Sequence, residues 1–567
     1  MEVNYRATNT ANTTRKKFVP FILILAIALL TFSISFWYFY PSMQTATLNT
    51  DQWTIIYKGT LYPGQTAMAD NSLYVSISFI QSQLDPEIYW DEEEQTAVIT
   101  TKDKRISLKT DQLTAYINQN PVNIAAPVMI IEEVPFLPID LLTQIYSIDY
   151  NITDSYKRVV IHNRAEPIAT GTVLMDKSFL RSQPAYRSPR LANLSKDQQV
   201  VILKEKIGYY LVRTEEGLIG YINKNEVEFT GIKPAENVPE PNYWWRPMGQ
   251  KINLTWEYVN KQTANPANIG PLPGVNVVSP TWFHLKDEEG NLENNADLRY
   301  VNWAHENDMQ VWALITNRFD RDLTHAVLSS TETRFRVINQ LLVFAELYNL
   351  NGINIDFENM HLKDRDYLTQ FVRELTPLAH EQGLSISIDV TIRSNSENWS
   401  MIYDRKALGQ IVDYMAVMTY DEHWAASPKA GSVASLPWVE RGLVGILEEV
   451  PREKVLLGLP LYTRVWEEAS QPDGTVKVSS KALSMQAAEA LINENNAVII
   501  YDDQAQQDYS QWTKGGSTFK IWLENDESIG RRVTLARKYN LGGVASWRRG
   551  FEKPSIWNVI ETELYRK

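Results

Sequence analysis

Two carboxylates stand close together in the stretch LNGINIDFENM, residues 350–360, which otherwise reads as an apolar strand. Asp356 and Glu358 are two positions apart, so in a strand both side chains point to the same face, together with Asn354. Successive Cβ atoms on that face are about 6–7 Å apart. A buried acid is costly unless it is paired or used. The spacing therefore indicates either acid–base chemistry or, as the alternative, an ion pair or a bound cation.

The elements that must position these acids are strands and helices that alternate from residue 250 onward. Near-continuous apolar strands with helical crossovers predict an α/β fold, a closed parallel (β/α)8 TIM barrel, in which active residues lie at the C-terminal strand ends. A doubly wound open sheet is the alternative, but no glycine-rich phosphate loop follows the first strand. The predicted strands are KINLTWEYV (251–259), VNVVSPTWFHL (275–285), MQVWALITN (309–317), GINIDFEN (352–359), LSISIDVT (384–391), YMAVMTYD (414–421), KVLLGLPLY (454–462) and GGVASWRRG (542–550).

One connection of the predicted barrel is too long for a single crossover helix. Residues 463–541 contain the strand-like runs VKVSS, NAVIIYDD and FKIWLE. They predict a small β-rich insertion, at 467–520, between the seventh and eighth strands.

Four motifs follow one another in order on the predicted barrel strands. The run NGINIDFE (351–358) is similar to the DxxDxDxE signature of glycoside hydrolase family 18, and it lies on predicted strand four, where that family carries it. The region 250–567 therefore resembles family 18. The other three motifs, on strands six, seven and eight, are MTYD (418–421), LGLPLYTRVW (457–466) and GGVASW (542–547).

The resemblance implies substrate-assisted hydrolysis, in which the 2-acetamido oxygen of the sugar attacks the anomeric carbon. Glu358 is the implied acid and base, and Asp356 would hold the acetamido N–H and stabilise the cationic intermediate. Tyr420 would donate its hydroxyl to the acetamido oxygen. For two of the implied sugar contacts, Tyr462 and Trp547, barrel packing is the alternative. The implied substrate-binding residues are Asn354, Asp421, Tyr462, Arg464, Trp547, Trp282 and Asn317.

The chain departs from the family signature at its first two acids, which are asparagines here. Asn351 lies near the strand start and has a structural interpretation. An Asp at position 354 could share a proton with Asp356, whereas Asn354 can only hydrogen-bond to it. The segments AGSVASLPWVERGL and IWLENDESI resemble the spore-cortex N-acetylglucosaminidase branch, where Asn is common at this place. Glu358, which inactive lectin-like relatives lack, is present.

Two smaller modules precede the predicted barrel. Within 51–163, an apolar helix pattern and a strand pattern at 77–100 recur at 139–162, which predicts a duplicated α+β unit with a period of about 60 residues. This unit resembles the N-terminal domain of copper amine oxidases, without copper ligands. Residues 167–229 alternate between strands and turns and resemble a bacterial SH3-like domain, either a wall-peptide binder or a structural spacer. Four prolines make 231–249 a stiff linker.

An uncharged apolar run, FVPFILILAIALLTFSISFWYFY, occupies residues 18–40. About 20 such residues span a bilayer as a helix. The basic residues in segment 1–17 predict a cytoplasmic N-terminus and an extracytoplasmic remainder, in a bacterial single-pass membrane protein that could be spore-associated. A cleaved signal peptide is the alternative.

The composition excludes several other classes of function. The 567 residues carry a formal net charge of −13, which argues against a nucleic-acid partner. The absence of cysteine excludes disulfides and thiolate chemistry. Because the 7 histidines are scattered, neither a metal site nor a cofactor is predicted.

Taken together, the motifs predict a membrane-anchored retaining glycosidase that hydrolyses β-1,4 bonds at N-acetylglucosamine. Its partners would be peptidoglycan or a chitin-like polymer, and the cell wall. The alternative is a chitinase-like lectin that binds the wall without turnover. A third interpretation is a structural assembly factor for the spore coat or wall.

Overall fold

A computed structural model describes residues 18–39, 44–48, 50–236 and 247–566. The predicted cytoplasmic segment 1–17 and the centre of the predicted linker lie outside these residues. The uncharged run forms one helix, α1 (Phe18–Phe39). Among the helices that the structure describes, none combines the length and the hydropathy that a membrane crossing requires.

The chain divides into two compact units. The first contains the described residues up to 86 together with 129–236, and the second contains 87–128 together with 247–566. The elements that precede the barrel are β1 (Thr54–Tyr57), β2 (Thr60–Pro63), β3 (Thr66–Ala69), β4 (Ser72–Ser76), α2 (Ile77–Gln83), β5 (Tyr89–Asp91), β6 (Thr96–Thr100), β7 (Arg105–Lys109), β8 (Thr114–Ile117), β9 (Asn120–Asn123), β10 (Met129–Ile131), β11 (Val134–Pro138), α3 (Ile139–Ile145), β12 (Ile148–Thr153), β13 (Arg158–Asn163), β14 (Ile168–Val173), β15 (Ser178–Arg181), β16 (Arg190–Leu194), β17 (Gln199–Lys206), β18 (Tyr209–Thr214), β19 (Ile219–Asn223) and β20 (Val227–Lys233).

The repeat seen in the sequence has a structural counterpart. A hairpin and a short helix, β3–β4–α2, recur as β10–β11–α3, and a further hairpin follows each helix: β5–β6 after α2 and β12–β13 after α3. The strands β4 and β11 pair antiparallel at the centre of one four-stranded sheet, in the order β10-β11-β4-β3. The two copies therefore meet through equivalent strands.

The strands β14–β20 form a seven-stranded sheet in the order β16-β15-β19-β18-β17-β14-β20. Register shifts at Thr170/Gly171 and at Ile202/Lys204 are bulges that bend its long strands. The sheet encloses a small apolar core of its own, built from alternate side chains such as Val200, Val212 and Ile222. This agrees with the SH3-like module predicted from the strand and turn pattern.

The barrel and its helices make up most of the second unit. The elements are β21 (Ile252–Glu257), β22 (Val277–Leu285), β23 (Leu292–Asn294), α4 (Leu298–Glu306), β24 (Gln310–Thr316), α5 (Arg321–Ser329), α6 (Thr331–Tyr348), β25 (Gly352–Asp356), α7 (Arg365–Glu381), β26 (Ser385–Thr391), α8 (Arg405–Ile411), β27 (Tyr414–Met418), α9 (Leu436–Leu447), β28 (Val455–Pro460), β29 (Tyr462–Ser470), β30 (Val476–Ser484), α10 (Met485–Glu494), β31 (Ile499–Asp502), β32 (Gln507–Lys514), β33 (Ser517–Trp522), α11 (Asp526–Lys538), β34 (Gly543–Trp547) and α12 (Ser555–Tyr565).

Eight parallel strands close into a ring in the order β21-β34-β28-β27-β26-β25-β24-β22, with β22 pairing back to β21. The prediction of a TIM barrel is confirmed, and closure of the ring excludes the open doubly wound sheet. Side chains alternate across the wall as expected: Ile353, Ile355 and Phe357 pack against the helices, while Trp312 and Leu314 fill the barrel interior.

The predicted insertion between strands seven and eight is also present. It is a five-stranded antiparallel sheet in the order β30-β29-β33-β32-β31. Helix α10 packs on it through Ala488 and Ile492, which share a core with Ile521. The sheet begins at Tyr462, immediately after the seventh barrel strand.

The second unit also contains a sheet from the amino-terminal half, in the order β5-β6-β7-β8-β9. Its Arg105 inserts between helices α6 and α7, where Nε donates to Oε2 of Glu374 at 2.7 Å. Arg334 on α6 donates to the other oxygen of Glu374 at 3.1 Å. Asp91 on β5 accepts hydrogen bonds from the backbone N and the hydroxyl of Thr331, the first residue of α6. An acid at a helix N-terminus stabilises the helix.

Replacing Arg105 by methionine is expected to destabilise the second unit by about 3–5 kcal/mol, the usual cost of breaking a buried ion pair. Glu374 is fully buried, and Arg334 and Arg105 lower its pKa against the opposing effect of burial. Without the guanidinium group of Arg105, the negative charge of Glu374 is buried with only one cationic partner. The midpoint of urea unfolding, followed by tryptophan fluorescence, measures the change. Lys109→Met on the exposed end of the same strand is the control, and equal midpoints for the two variants would contradict the prediction.

Candidate active site

The two acids found in the sequence lie together at the C-terminal mouth of the barrel. Strand β25 ends at Asp356, and Glu358 follows in the loop. Protein atoms surround both side chains, yet each keeps some surface that a substrate can reach. Oδ1 of Asp356 accepts no hydrogen bond from any described group.

The environment of the pair favours protonated carboxyl groups. Burial raises the pKa of Asp356 to about 7. Burial also raises the pKa of Glu358 well above its usual range, and the negative charges of Asp356, Asp389 and Asp421 raise it further. A glutamate that holds its proton near neutral pH can serve as a general acid.

Asn317 holds the backbone of Glu358 in place. Its Nδ2 donates to the Glu358 carbonyl at 2.7 Å, and the Glu358 N–H donates to its Oδ1 at 3.1 Å. Nδ2 also donates to the hydroxyl of Thr324. Asn317 is fully buried, so the structure gives it a positioning role in place of the predicted contact with sugar.

Asn354 connects Asp356's strand to a third buried acid, Asp389 on β26. The indole N–H of Trp256 and the hydroxyl of Ser279 donate to Oδ1 of Asn354, at 2.8 and 3.1 Å. Because an indole N–H is only a donor, this fixes the amide orientation. Nδ2 of Asn354 then donates to Oδ1 of Asp389 at 2.8 Å.

Asp389 is a site residue that the sequence reasoning missed. Its pKa is raised well above the usual value by burial and by the charge of Asp356, while the amide of Asn354 opposes the rise. A signal was present in the run SISID: Ser385, Ser387 and Asp389 are polar residues at alternate positions of an apolar strand. That pattern places an acid inside the barrel.

Tyr420, Asp421, Tyr462 and Arg464 form one cluster beside the acids. The hydroxyl of Tyr462 donates to Oδ1 of Asp421 at 2.5 Å, and Nη2 of Arg464 lies 3.9 Å from the same oxygen. The rings of Tyr420 and Tyr462 meet edge to face, with centroids 6.3 Å apart. Burial raises the pKa of Tyr420 well above 10, and the nearby acids, including Glu358, raise it further. A hydroxyl with this pKa stays protonated and donates a hydrogen bond.

Of the two predicted tryptophan platforms, only Trp547 is near the barrel interior. It ends β34, is partly exposed, and meets Trp256 with ring centroids 6.0 Å apart. Trp282 is fully buried, donates its indole N–H to Thr263, and packs edge to face on Tyr300. A packing role in the helix layer therefore replaces the predicted sugar contact of Trp282.

Two further aromatic side chains lie on loops that contact the residue after Glu358, and they were not singled out in the sequence. Phe319 and Trp399 are exposed, with ring centroids 5.9 Å apart. Asn359, which follows Glu358, donates to the Phe319 carbonyl and accepts from Asn398 beside Trp399. The exposed pair is thus tied to the loop that carries the glutamate.

Comparison with protein families agrees with this geometry. The model for glycosyl hydrolases family 18 matches residues 254–552, which is more than half of the chain. The chain belongs to glycoside hydrolase family 18. The models for the copper amine oxidase N-terminal domain and for a bacterial SH3 domain match residues 56–161 and 176–228. All three resemblances found in the sequence are therefore confirmed, and this family 18 chain is a glycoside hydrolase.

Individual relatives agree with the family assignment. The chain is 26% identical over 298 residues to the uncharacterized glycosylase YvbX of Bacillus subtilis (strain 168), covering 50% of this chain and 84% of YvbX. It is 29% identical over 259 residues to the cortical fragment-lytic enzyme of the same organism, covering 44% of this chain and 59% of that enzyme. It thus spans less than two thirds of that relative.

A solved structure supports the fold assignment. The C-terminal domain of a chitinase candidate from Desulfitobacterium hafniense DCB-2 superposes with a TM-score of 0.50 at 25% identity. The superposition covers 56% of this chain and 100% of that domain. The shared part is thus about as long as the barrel with its insertion.

Proposed function

We propose that this enzyme hydrolyses β-1,4 bonds at N-acetylglucosamine in peptidoglycan or a chitin-like polymer, with retention of configuration. The observation that carries the proposal is the pairing of Asp356 and Glu358 at the barrel mouth, both with raised pKa values. Two strongly perturbed acids in a cleft indicate acid–base catalysis. Mass spectrometry of fragments released from purified peptidoglycan, spore cortex and chitin tests the activity, and NMR of the first anomer formed tests retention.

The reaction follows from the positions of the acids. Glu358 gives its proton to the glycosidic oxygen as the bond to the anomeric carbon breaks. The substrate's own acetamido oxygen forms the new bond to that carbon, giving a cyclic cation. Glu358, now ionised, takes a proton from water, and the water oxygen bonds to the anomeric carbon from the face that the leaving group left, which breaks the bond to the acetamido oxygen and restores the acetamido group. Two displacements at one carbon leave its configuration unchanged.

The acetamido group needs an anion beside its N–H, and Asp356 supplies it. Asp356 must lose its own proton for this role, but the amide of Asn354 is not basic enough to accept that proton. Asp389 can accept it, because it lies in the barrel interior near enough to Asp356 for the charge of Asp356 to raise its pKa. We propose that Asp356 and Asp389 share one proton, with Asp389 keeping it when the sugar is bound. A second carboxyl thus takes the role that Asn354 cannot perform.

The remaining residues at the mouth would orient the sugar. Tyr420 would donate its hydroxyl to the acetamido oxygen, which aligns that oxygen for attack. Asp421 and Arg464 would bind sugar hydroxyls, and Tyr462 holds Asp421 in position. Trp547 offers an apolar face to the sugar ring, and the exposed rings at the loop edge offer another to the neighbouring sugar.

Hydrolysis is expected to be undetectable when the acetamido group at the cleaved sugar is absent. In a de-N-acetylated glycan the internal nucleophile is missing, and the bare amine cannot form the cyclic cation. Release of reducing ends from matched N-acetylated and de-N-acetylated polymer measures this. Ready cleavage of the deacetylated polymer would contradict substrate assistance, while leaving the assignment as a hydrolase intact.

Wall peptidoglycan is the substrate that the sequence features support. The relative named as cortical fragment-lytic enzyme acts, by that name, on cortex fragments. The uncharged run 18–40, preceded by basic residues, supports a single-pass anchor with the catalytic unit outside the bacterial membrane. Digestion of intact cells with an external protease tests that location.

A further inference from the structure

The first compact unit contains a polar cavity of about 300 Å³. Its walls come from the hairpin β12–β13 of the amine-oxidase-like module and from strands β14, β17 and β18 of the SH3-like module, with the end of β20 at its edge. Three cationic side chains, Arg164, Arg213 and Lys233, line it. A cavity of this size falls at the lower end of ordinary small-ligand sites, about 300–1,000 Å³.

Arg213 carries the central observation. Only 7% of this residue is exposed, and its one hydrogen-bond partner among the described residues is Nδ1 of His162, at 3.4 Å. An imidazole is never an anion, so His162 cannot balance this charge; burial and the charge of Arg213 lower the pKa of His162, against the opposing charge of Asp149. Burying a cation without an anion is costly. An anion that enters the cavity would remove that cost.

Arg164 repeats the same feature at the same cavity. Its Nε is buried and finds no acceptor among the described residues. The guanidinium group is a flat fork of donors that matches the two oxygens of a carboxylate. Two incompletely partnered guanidinium groups and the ammonium group of Lys233 therefore define an anion site.

The acids that also line the cavity do not supply the missing anion. Glu166 is already bound by Lys58 at 2.5 Å and by Asn163 at 3.1 Å. Asp149 and Glu236 form no ion pair with Arg213 within the described chain. Burial is the only cause that lowers the pKa of Arg213, with no acid opposing it.

We propose that this cavity binds the carboxylate of a small organic ligand, such as a peptide C-terminus or an acidic sugar. Peptidoglycan, a glycan of alternating amino sugars with peptide branches, offers the first at the free end of a branch and the second where a branch is missing. Each presents one compact carboxylate. The proposal concerns the first unit and does not depend on hydrolysis by the barrel.

Isothermal titration calorimetry on the purified full chain tests the proposal. The probes are N-acetyl-D-alanyl-D-alanine, its C-terminal amide, and N-acetylmuramic acid, each at constant ionic strength. We expect a carboxylate probe to bind at least 10-fold more weakly to Arg213→Gln and to Arg164→Gln than to the unaltered chain. Lys206→Gln, at the opposite end of the β17–β18 hairpin, is the charge control and is expected to bind like the unaltered chain.

The possible results distinguish a peptide carboxylate from a sugar carboxylate, and both from the absence of an anion site. Binding of the peptide acid but not its amide supports a peptide carboxylate, and binding of muramic acid alone supports a sugar acid. Loss of binding in Arg164→Gln keeps the test valid if Arg213→Gln fails to fold. No binding by either acid, equal binding of acid and amide, or binding unaffected by both arginine variants would overturn the proposal.

Discussion

Replacing Glu358 by glutamine is expected to lower kcat by about 10²–10⁴-fold, the usual contribution of a general acid–base group. Glutamine keeps the size and the backbone contacts to Asn317, but it cannot give a proton to the leaving oxygen. It also cannot take one from water in the second step. Sugar contacts elsewhere at the mouth are unchanged, so binding to insoluble wall should persist. Reducing-end release and a pull-down on the same wall preparation measure the two effects.

The matched control is Glu397→Gln. Glu397 lies exposed in the loop after β26, at the same end of the barrel, and removing its charge should leave kcat within twofold of the unaltered chain. A Glu358→Gln variant that retains full activity would end the acid–base assignment. If the unaltered chain and the variant bind wall equally but neither releases sugar, the protein acts as a lectin instead.

The residues that sequence reasoning placed correctly are those governed by a local rule. Strand alternation puts Asn354 and Asp356 on one face, and closure of the barrel turns that face inward. Glu358 follows in the loop where this strand ends. The same rule could have corrected one error. In β22, Ser279 reaches inward to Asn354, and alternation from it turns Trp282 toward the helices. A register irregularity at Thr281/Phe283 then turns Phe283 toward the helices as well, where it stacks on Phe344.

Other features depend on contacts between distant parts of the chain. Asn317 reaches the backbone of Glu358 across 41 positions, and Arg105 reaches Glu374 across 269. The sequence near Asn317 and near Arg105 contains no pattern that predicts these distant partners. The sequence pattern showed the repeat in the amino-terminal half. It did not show that the sheet within residues 87–128 belongs to the compact unit of the barrel. That outcome depends on a buried charge network rather than on periodicity.

Replacing Asp389 by asparagine is expected to lower kcat/KM by about 10- to 100-fold, the kinetic equivalent of about 1.5–3 kcal/mol for a hydrogen bond to a charged group. Asparagine still accepts the Asn354 amide but has no carboxyl proton to share with Asp356. The Asp356 anion thereby loses a stabilising O–H donor, so its pKa rises and the acidic limb of the pH profile moves to higher pH. The pair with one shared proton carries a single negative charge, and so does ionised Asp356 alone in the variant, so the pKa of Glu358 and the basic limb are expected to stay where they were.

A narrower pH profile of Asp389→Asn would distinguish proton sharing with Asp356 from a purely structural role of Asp389. Damage to packing alone would lower the rate at every pH and leave both limbs where they were. The decisive variant combines Asn354→Asp with Asp389→Asn. It exchanges the two partners of the hydrogen bond between positions 354 and 389, so a second carboxyl is again present near Asp356. We expect the exchange to widen the profile again and to recover most of the lost rate. If Asp389→Asn alone keeps the original limbs, Asp356 works without a proton-sharing partner and the role of Asp389 is structural.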